Sequence, residues 1–213
     1  MPAGRRLAQP LERAAPEAAG ESLALHESPR DATIGAPPFD ARAMDITQLI
    51  LDDHHEQRRL FANLEQVAPT DVEALGVLWE RLAAFLEVHA EAEERHFYPP
   101  LLKVGAGAGG KRDADDETED AIKDHNEIRD AVAAVAREKI GSDAWYAAVA
   151  AANKANGDHM AEEEREGLTD FRLHAGLQQR HELGVRFATF EARHQAGVRP
   201  VDKDPKTFVE EHK

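Results

Sequence analysis

Cysteine is absent from the 213-residue chain. This absence excludes disulfide bonds, thiolate zinc sites and iron–sulfur clusters, so any metal must be bound through nitrogen and oxygen atoms. Long apolar runs are absent too, since none approaches the roughly 18 residues of a membrane-spanning helix. No apolar stretch follows Arg5 and Arg6, so the N-terminus does not resemble a signal peptide. We therefore expect a cytoplasmic protein without a membrane partner.

Positive charge is scarce, with 26 lysine and arginine residues against 41 aspartate and glutamate residues. The formal net charge of −15 argues against nucleic acid and anionic membranes as partners, because both are polyanions that an acidic surface repels. The hydrophobic content of 42% is nevertheless sufficient for the core of one domain.

Proline is concentrated near the N-terminus, where six of the eleven prolines fall within residues 1–43. The rest of this segment is mainly alanine, glycine, glutamate and arginine. Such a composition buries too little apolar surface to offset the entropy lost on ordering. The sequence therefore predicts a disordered N-terminal tail over residues 1–43.

Apolar residues at helical spacing fill the rest of the chain, and no alternating pattern predicts a strand. Asp45 and Ser142 are predicted helix caps, and the acidic residues 113–120 are expected to lie in a connection. Four amphipathic helices joined by modest connections predict an all-α protein with an up-down-up-down four-helix bundle. The predicted segments after the tail are the bundle (44–167), an additional helix packed on it (168–196) and a polar, extended C-terminal tail (197–213).

An internal duplication dominates the predicted bundle. The pattern Asp-His-x-Glu-x-Arg begins at Asp53 and again at Asp124, and the pattern His-x-x-x-Glu-Glu-Arg begins at His89 and again at His159. The histidine of the first pattern precedes that of the second by 35 residues in one copy and by 34 in the other. The two halves of the bundle are therefore expected to contribute equivalent groups to one site.

The duplicated histidines and glutamates occupy predicted core positions. Residues four apart share a helix face, so each glutamate of the second pattern points the same way as its histidine. His54 fills a gap in the apolar stripe of its helix, whereas His55 is rotated out of it. A lone inward histidine is usually a hydrogen-bonded core residue, but buried carboxylates need a paired cation or a metal. Four such histidines with two glutamates predict a metal site with the candidate ligands His54, His89, Glu93, His125, His159 and Glu163.

Imidazole and carboxylate ligands without thiolate suit iron, with manganese or zinc as alternatives. Two half-sites that face each other would hold two metal ions, each with two terminal histidines. Glu93 and Glu163 would bridge the ions. Together with an oxo or hydroxo bridge, these two carboxylates would offset much of the charge of the metal pair.

These patterns resemble those of hemerythrin-like proteins with the His-His-Glu cation-binding domain, over roughly residues 45–195. The residues that carry the resemblance are Asp53-His54, His89 to Glu94 followed by Phe97-Tyr98-Pro99, Asp124-His125, and His159 to Glu164. The resemblance implies a four-helix bundle with a non-haem diiron centre, in which the four histidines are terminal ligands and the two glutamates are bridges. It also implies a protein that interacts with oxygen, peroxide or nitric oxide.

The chain departs from the oxygen-carrying members of that family at two positions. They have a second histidine four residues after the one on the third helix, where this chain has Arg129. They also have a bridging carboxylate five residues after the last histidine, whereas here Glu163 lies at four and Glu164 at five. One iron would then lack a histidine, which favours redox chemistry, sensing or iron handling over oxygen carriage. The candidates to complete its coordination are His96, Tyr98 and Glu164.

Further carboxylates beside the predicted ligands are expected to orient the imidazole rings, namely Asp53, Glu94, Asp124 and Glu164. Glu162 is instead expected at the surface. Two other functions stay open at this point. One is a catalase- or peroxidase-like enzyme that acts on hydrogen peroxide, and the other is a non-catalytic iron sensor or store whose folding depends on metal occupancy.

Overall fold

The computed structural model describes residues 44–213, and the predicted N-terminal tail lies outside this range. Within it the chain forms eight helices and no strands, so the all-α prediction is confirmed. The helices are α1 (Ile46–Glu65), α2 (Val72–His96), α3 (Tyr98–Val104), α4 (Ala114–Val135), α5 (Asp143–Arg165), α6 (Gly167–His174), α7 (Leu177–Arg193) and α8 (Pro205–His212).

The four long helices α1, α2, α4 and α5 form the predicted up-down-up-down bundle. α1 packs against α2 and α5, and α4 packs against α5 and α2. Across residues 44–213, no helix has the length and apolar content needed to cross a membrane.

Side-chain caps begin the bundle helices. The predicted caps Asp45 and Ser142 each accept a hydrogen bond from a backbone N–H in the first turn of their helix. Asp113 caps α4 in the same way. The acidic residues that follow Asp113 are therefore helical rather than part of a connection. Asp115 and Asp116 place negative charge in the first turn of α4, where it interacts favourably with the helix dipole.

Two apolar clusters fill the bundle with a polar layer between them. Along α1, Ile46 and Ile50 belong to one cluster, whereas Leu60 and Phe61 belong to the other. His54 lies between these two pairs and is fully buried. The gap in the apolar stripe of α1 is therefore the place where the bundle core becomes polar.

The helical conformation is interrupted at Phe97, which lies between the end of α2 and the start of α3. Pro99 and Pro100 follow in the first turn of α3, where the missing N–H of proline removes no helical hydrogen bond. The side chains at the break, Phe97 and Tyr98, are both buried in the bundle. The short helix α3 thus holds a tyrosine at the end of the polar layer.

The C-terminal region differs from the sequence-based expectation. Where one additional helix was expected, the extended residues Ala175 and Gly176 separate α6 from α7. The segment expected to be an extended tail contains α8, in which Phe208 and Val209 are buried. α7 packs against α1 and α2, while α8 packs against α4 and α3.

Candidate metal centre

The six predicted ligands lie together in the polar layer, with side chains from all four bundle helices. α1 contributes His54, α2 contributes His89 and Glu93, α4 contributes His125, and α5 contributes His159 and Glu163. All six are buried. His55, the neighbour that the apolar stripe predicts to point away, is exposed.

Glu93 lies at the middle of this group. Its Oε1 atom is 2.9 Å from His89 Nε2 and 4.0 Å from His54 Nε2. Its Oε2 atom is 3.2 Å from His125 Nε2, which in turn is 3.1 Å from His159 Nε2. Two sets of metal-ligating atoms result, each spanning no more than 4.8 Å, and Glu93 belongs to both. One carboxylate therefore faces two histidine pairs.

Glu163 has different surroundings from its duplicate. Its Oε2 atom is 3.2 Å from His54 Nε2, but its Oε1 atom accepts a hydrogen bond of 2.7 Å from the Tyr98 hydroxyl. Neither of the two ligand sets includes Glu163. The two glutamates are thus equivalent in sequence but not in their contacts, and a bridging role for Glu163 stays a prediction.

Several buried polar atoms at the centre have no hydrogen-bond partner of good geometry among the described residues. They are His54 Nε2, His89 Nε2, Glu163 Oε2 and both carboxylate oxygens of Glu93. Leaving such atoms unpaired is costly, and most buried polar atoms in proteins do find a partner. Nitrogen and oxygen lone pairs that converge on one interior space fit a cation, so the residues present match the metal that the sequence patterns predict.

A carboxylate faces the Nδ1 atom of each of the four histidines. The pairs are His54–Glu164 (3.0 Å), His89–Asp53 (3.1 Å), His125–Glu94 (2.9 Å) and His159–Asp124 (3.7 Å). A proton on Nδ1 that is shared with a carboxylate leaves the Nε2 lone pair free to face the interior, as a metal ligand requires. In both halves, the aspartate faces the second histidine of its own half, and the glutamate faces the first histidine of the other half.

The electrostatics of the centre are those of tightly paired opposite charges. Burial would lower the pKa of His125, but its contact with Glu93 and its hydrogen bond with Glu94 raise it to about 9. Burial would also lower the pKa of His89, yet Glu93 and Asp53 raise it well above its usual range. Burial would raise the pKa of Glu93, but the two imidazoles hold it well below its usual range. A bound cation must displace the imidazole protons, so the affinity of the site for a cation falls as the pH is lowered.

Arg129, which stands where oxygen carriers have a histidine, is buried but directed away from the centre. Its guanidinium donates to Glu87 and Glu94, both at 3.0 Å. Glu94 also accepts hydrogen bonds from His125 and from the ammonium group of Lys203. Burial would raise the pKa of Glu94, but these three partners hold it at about 2. Glu94 is therefore ionised behind the imidazole of His125.

The three residues left open as additional ligands lie in different places. Glu164 lies behind His54, on the side away from the centre. The ring of His96 contacts Phe190 of α7, at a centroid distance of 5.9 Å. Only Tyr98 reaches the interior, through its hydrogen bond to Glu163. No hydrogen bond or ion pair joins Glu162 to the four histidines in the described part of the chain.

α7 adds two groups that the sequence analysis does not assign to the centre. The ring of Phe187 packs edge-on against His89, with centroids 6.0 Å apart. Glu191 lies one turn further along α7 and has an oxygen within 4.8 Å of ligand atoms of Asp53 and His89. Burial and the nearby Asp53 raise the pKa of Glu191 to about 8. The four-residue spacing of Phe187 and Glu191 puts them on one face, but it does not indicate what that face covers.

Comparison with known protein families identifies the bundle. The family model described as the hemerythrin HHE cation binding domain matches residues 45–168, more than half of the chain. Curated proteins and solved structures give no match. The family match includes all six predicted ligands and ends before α7, so Glu191 and Lys203 lie outside it.

Proposed function

Since the chain belongs to the hemerythrin HHE cation-binding domain family, we propose that its buried histidine–glutamate centre binds two non-haem iron ions and that these interact with oxygen, peroxide or nitric oxide. The family indicates a cation-binding protein. The proposal adds the identity and number of the ions and the class of the small ligand.

The position of Glu93 is the observation that carries the proposal. One of its oxygens faces His54 and His89, and the other faces His125 and His159. Two pairs of imidazoles on either side of one carboxylate suit two ions rather than one. His54 and His89 would hold the first ion, His125 and His159 the second, and Glu93 would bridge them. Glu163 is the candidate for a second bridge.

The space beside the centre supports a very small exogenous ligand. A cavity of about 10 Å³ lies among Tyr98, His159 and Glu163. This volume is close to what a single water molecule occupies, and it excludes larger organic substrates. Bound iron would supply the electron exchange with the ligand. The role of the protein is to fix the imidazoles through the outer carboxylates and to keep the Tyr98 hydroxyl on Glu163.

Peroxide disproportionation is the second candidate function, and the contact between Tyr98 and Glu163 favours it. A buried carboxylate that shares a proton with a hydroxyl can take up and return a proton beside a bound oxidant. Robust oxygen evolution from hydrogen peroxide by the iron-loaded protein, lost in Glu93→Ala, would support this enzyme. Absence of turnover together with iron-dependent protease resistance would instead support a sensor or store.

Iron content tests the ligand assignment directly. We expect about two iron ions per chain in the protein reconstituted with Fe(II) without oxygen, as measured by plasma emission spectroscopy. His54→Ala should retain about one or fewer, because one half-site loses a ligand. The exposed neighbour gives a matched control, since His55→Ala should retain both. Unchanged iron in His54→Ala would contradict the assignment, and equal loss in both variants would point to unspecific destabilisation.

An optical spectrum then tests the ligand class. The iron-loaded, reduced protein is recorded before and after air is admitted, and again after oxygen is removed. A charge-transfer band that appears with air and disappears on removal supports a centre that binds oxygen reversibly. The absence of any iron-dependent band would contradict the iron proposal and favour manganese or zinc.

A further inference from the structure

The small cavity beside the metal centre has a strongly acidic wall. It is the cavity of about 10 Å³ that reaches Tyr98, His159 and Glu163. Carboxylates make up most of its lining, and none of the lining residues is a lysine or an arginine. A wall of one charge sign attracts and concentrates ions of the opposite sign. The carboxylates of this acidic cavity are Glu117, Asp120, Asp124, Glu162, Glu163 and Glu166.

The lining of the acidic cavity extends from the surface of the bundle to its centre. The side chain of Asp120 on α4 is 52% exposed. That of Glu166, at the end of α5, is 9% exposed, and that of Glu163 is 2% exposed. The same set of carboxylates therefore touches both the solvent and the predicted metal ligands.

The other half of the bundle has apolar residues where this lining has carboxylates. Counted from the repeated sequence patterns, Glu117 corresponds to Ile46 and Glu162 corresponds to Ala92. Ile46 and Ala92 are both fully buried in an apolar cluster. The bundle can thus be closed by apolar side chains at these places, and the carboxylates of the second half are not a requirement of the fold.

A lysine already holds positive charge against the outer part of the lining. The ammonium group of Lys111 donates to Asp120 and lies 3.5 Å from Glu166. The hydrogen bond with Asp120 raises the pKa of Lys111, and the attraction of Glu166 and Glu162 adds to this against the effect of partial burial. Arg165 binds the other oxygen of Glu166. The outer carboxylates therefore form a place where a cation binds.

Glu117 is a buried carboxylate of the lining with one oxygen left over. It is 4% exposed, and its Oε1 atom accepts a hydrogen bond from the Ala108 N–H. Its Oε2 atom has no hydrogen-bond donor of good geometry among residues 44–213. Burial raises the pKa of Glu117 to about 8, with Asp170 adding to the effect, so the carboxyl holds a proton at neutral pH. A cation in the cavity would displace this proton and give the free oxygen a partner.

We propose that the acidic cavity is the route by which a divalent cation enters the metal centre. The cation would bind first to Asp120, Glu162 and Glu166 at the outer end. It would displace the ammonium group of Lys111 from them and then pass inward to Glu163. This inference rests on the proposed function, because it requires a centre that binds divalent cations.

The rate of metal uptake tests the route separately from the metal content at equilibrium. Co²⁺ is the probe, because its visible absorption reports binding to nitrogen and oxygen ligands. The metal-free full chain is mixed with Co²⁺ in a stopped-flow spectrometer, and the final content is measured by plasma emission spectroscopy. The triple variant Asp120→Asn, Glu162→Gln and Glu166→Gln should take up Co²⁺ about tenfold more slowly, because its wall no longer concentrates cations. Its final Co²⁺ content should equal that of the unchanged protein, since every predicted ligand is still present.

A change of the lysine should act in the opposite direction. Lys111→Gln should take up Co²⁺ about threefold faster, because no ammonium group then competes for the outer carboxylates. Lys139→Gln, at an exposed lysine outside the cavity, is its matched control. The control for the triple variant is Glu65→Gln, Glu73→Gln and Glu138→Gln, which makes the same change in net charge at exposed positions outside the cavity. Both controls should keep the uptake rate of the unchanged protein.

The outcomes distinguish a wrong route from a wrong function. An unchanged uptake rate in the triple variant, with full Co²⁺ content, would contradict the route and leave the proposed function intact. Equal slowing in the control triple would also contradict the route, because net charge alone would then set the rate. If even the unchanged protein binds no Co²⁺, both proposals fail. If the triple variant has a reduced final content, Glu162→Gln alone decides, and slower uptake to full content is the expected result.

Discussion

At the scale of single residues, each of the four inward histidines has its two ring nitrogens in different environments. Nδ1 faces a carboxylate, and Nε2 faces the interior space around Glu93. This arrangement determines which nitrogen carries the proton and also fixes the plane of the ring. The long separation at His159, 3.7 Å from Asp124, makes this ring the least constrained of the four.

The Tyr98 hydroxyl offers a direct test of the asymmetry between Glu93 and Glu163. Tyr98→Phe removes the hydrogen-bond donor that Glu163 Oε1 has among residues 44–213 and leaves a buried carboxylate oxygen without a hydrogen bond. We expect the free energy of unfolding of the metal-free protein, measured by urea denaturation, to fall by about 1–3 kcal/mol. Tyr146→Phe is the control, because the buried Tyr146 hydroxyl has no hydrogen-bond partner among the described residues. Equal losses in the two variants would contradict a specific role for the Tyr98 hydroxyl.

The residues of the centre differ in how far the sequence could predict them. Helical spacing brought out His54 over His55 and placed each histidine beside its glutamate, since these relations depend only on the geometry of one helix. The contact of Lys203 with Glu94 joins residues 109 positions apart, so it depends on how α8 and the preceding segment dock. Glu163 shows the same limit. The sequence pattern around Glu163 repeats that around Glu93, but the hydroxyl of Tyr98, from another helix, binds Glu163 and changes its surroundings.

At the scale of helices, the accuracy of prediction follows the number of apolar residues in each element. The bundle helices carry long apolar stripes, and the caps Asp45 and Ser142 were predicted, whereas the cap Asp113 of α4 was not. α8 has only Phe208 and Val209 as buried residues, and a pair of apolar side chains does not establish a helical period. Its helix depends on packing against α3 and α4, which the sequence pattern does not reveal.

Two glycines in helices differ in the space around them, so we expect opposite effects on stability when each is replaced by alanine. A Cβ atom added at Gly157 in α5 would meet no atom within 4 Å, whereas one added at Gly184 in α7 would lie 1.6 Å from the carbonyl oxygen of Met44. Gly157→Ala should raise the free energy of unfolding by about 0.5–1 kcal/mol, because alanine loses less backbone entropy in a helix. Gly184→Ala should lower it by about 1–3 kcal/mol, since α7 must move away from the start of α1. Thermal melts of both variants test the pair, and stabilisation by Gly184→Ala would contradict the close approach of the two helices.

At the scale of the whole molecule, the C-terminal region encloses the bundle from two sides. α7 places Phe187 and Glu191 behind His89, and the segment before α8 places Lys203 behind His125 through Glu94. The backbone of Lys203 is also held by two hydrogen bonds with the side chain of Asn126 on α4. The region outside the family match therefore contacts both halves of the centre, with the ring of Phe187 and the carboxyl group of Glu191 at His89 and with the ammonium group of Lys203 at Glu94.

Stability of the whole chain should fall as the pH rises from 6 to 8, and Glu117 is one identifiable cause. Burial raises the pKa of this carboxyl from its ordinary value of 4.5 to about 8, with Asp170 adding to the effect. Between these values the folded state keeps a proton that the unfolded chain releases, so each increase in pH favours unfolding. After allowance for solvent screening, we expect the free energy of unfolding of the metal-free protein, measured by urea denaturation, to fall by about 1–2 kcal/mol.

The variant Glu117→Gln tests this cause. It keeps an acceptor for the Ala108 N–H and should flatten the pH dependence of stability, although Glu191 will still contribute in the same direction. Glu138→Gln is the matched control, because it makes the same substitution at an exposed position. It should leave the pH dependence of stability unchanged. A slope that is equally steep in Glu117→Gln and in the unchanged protein would show that Glu117 is not protonated in the folded state.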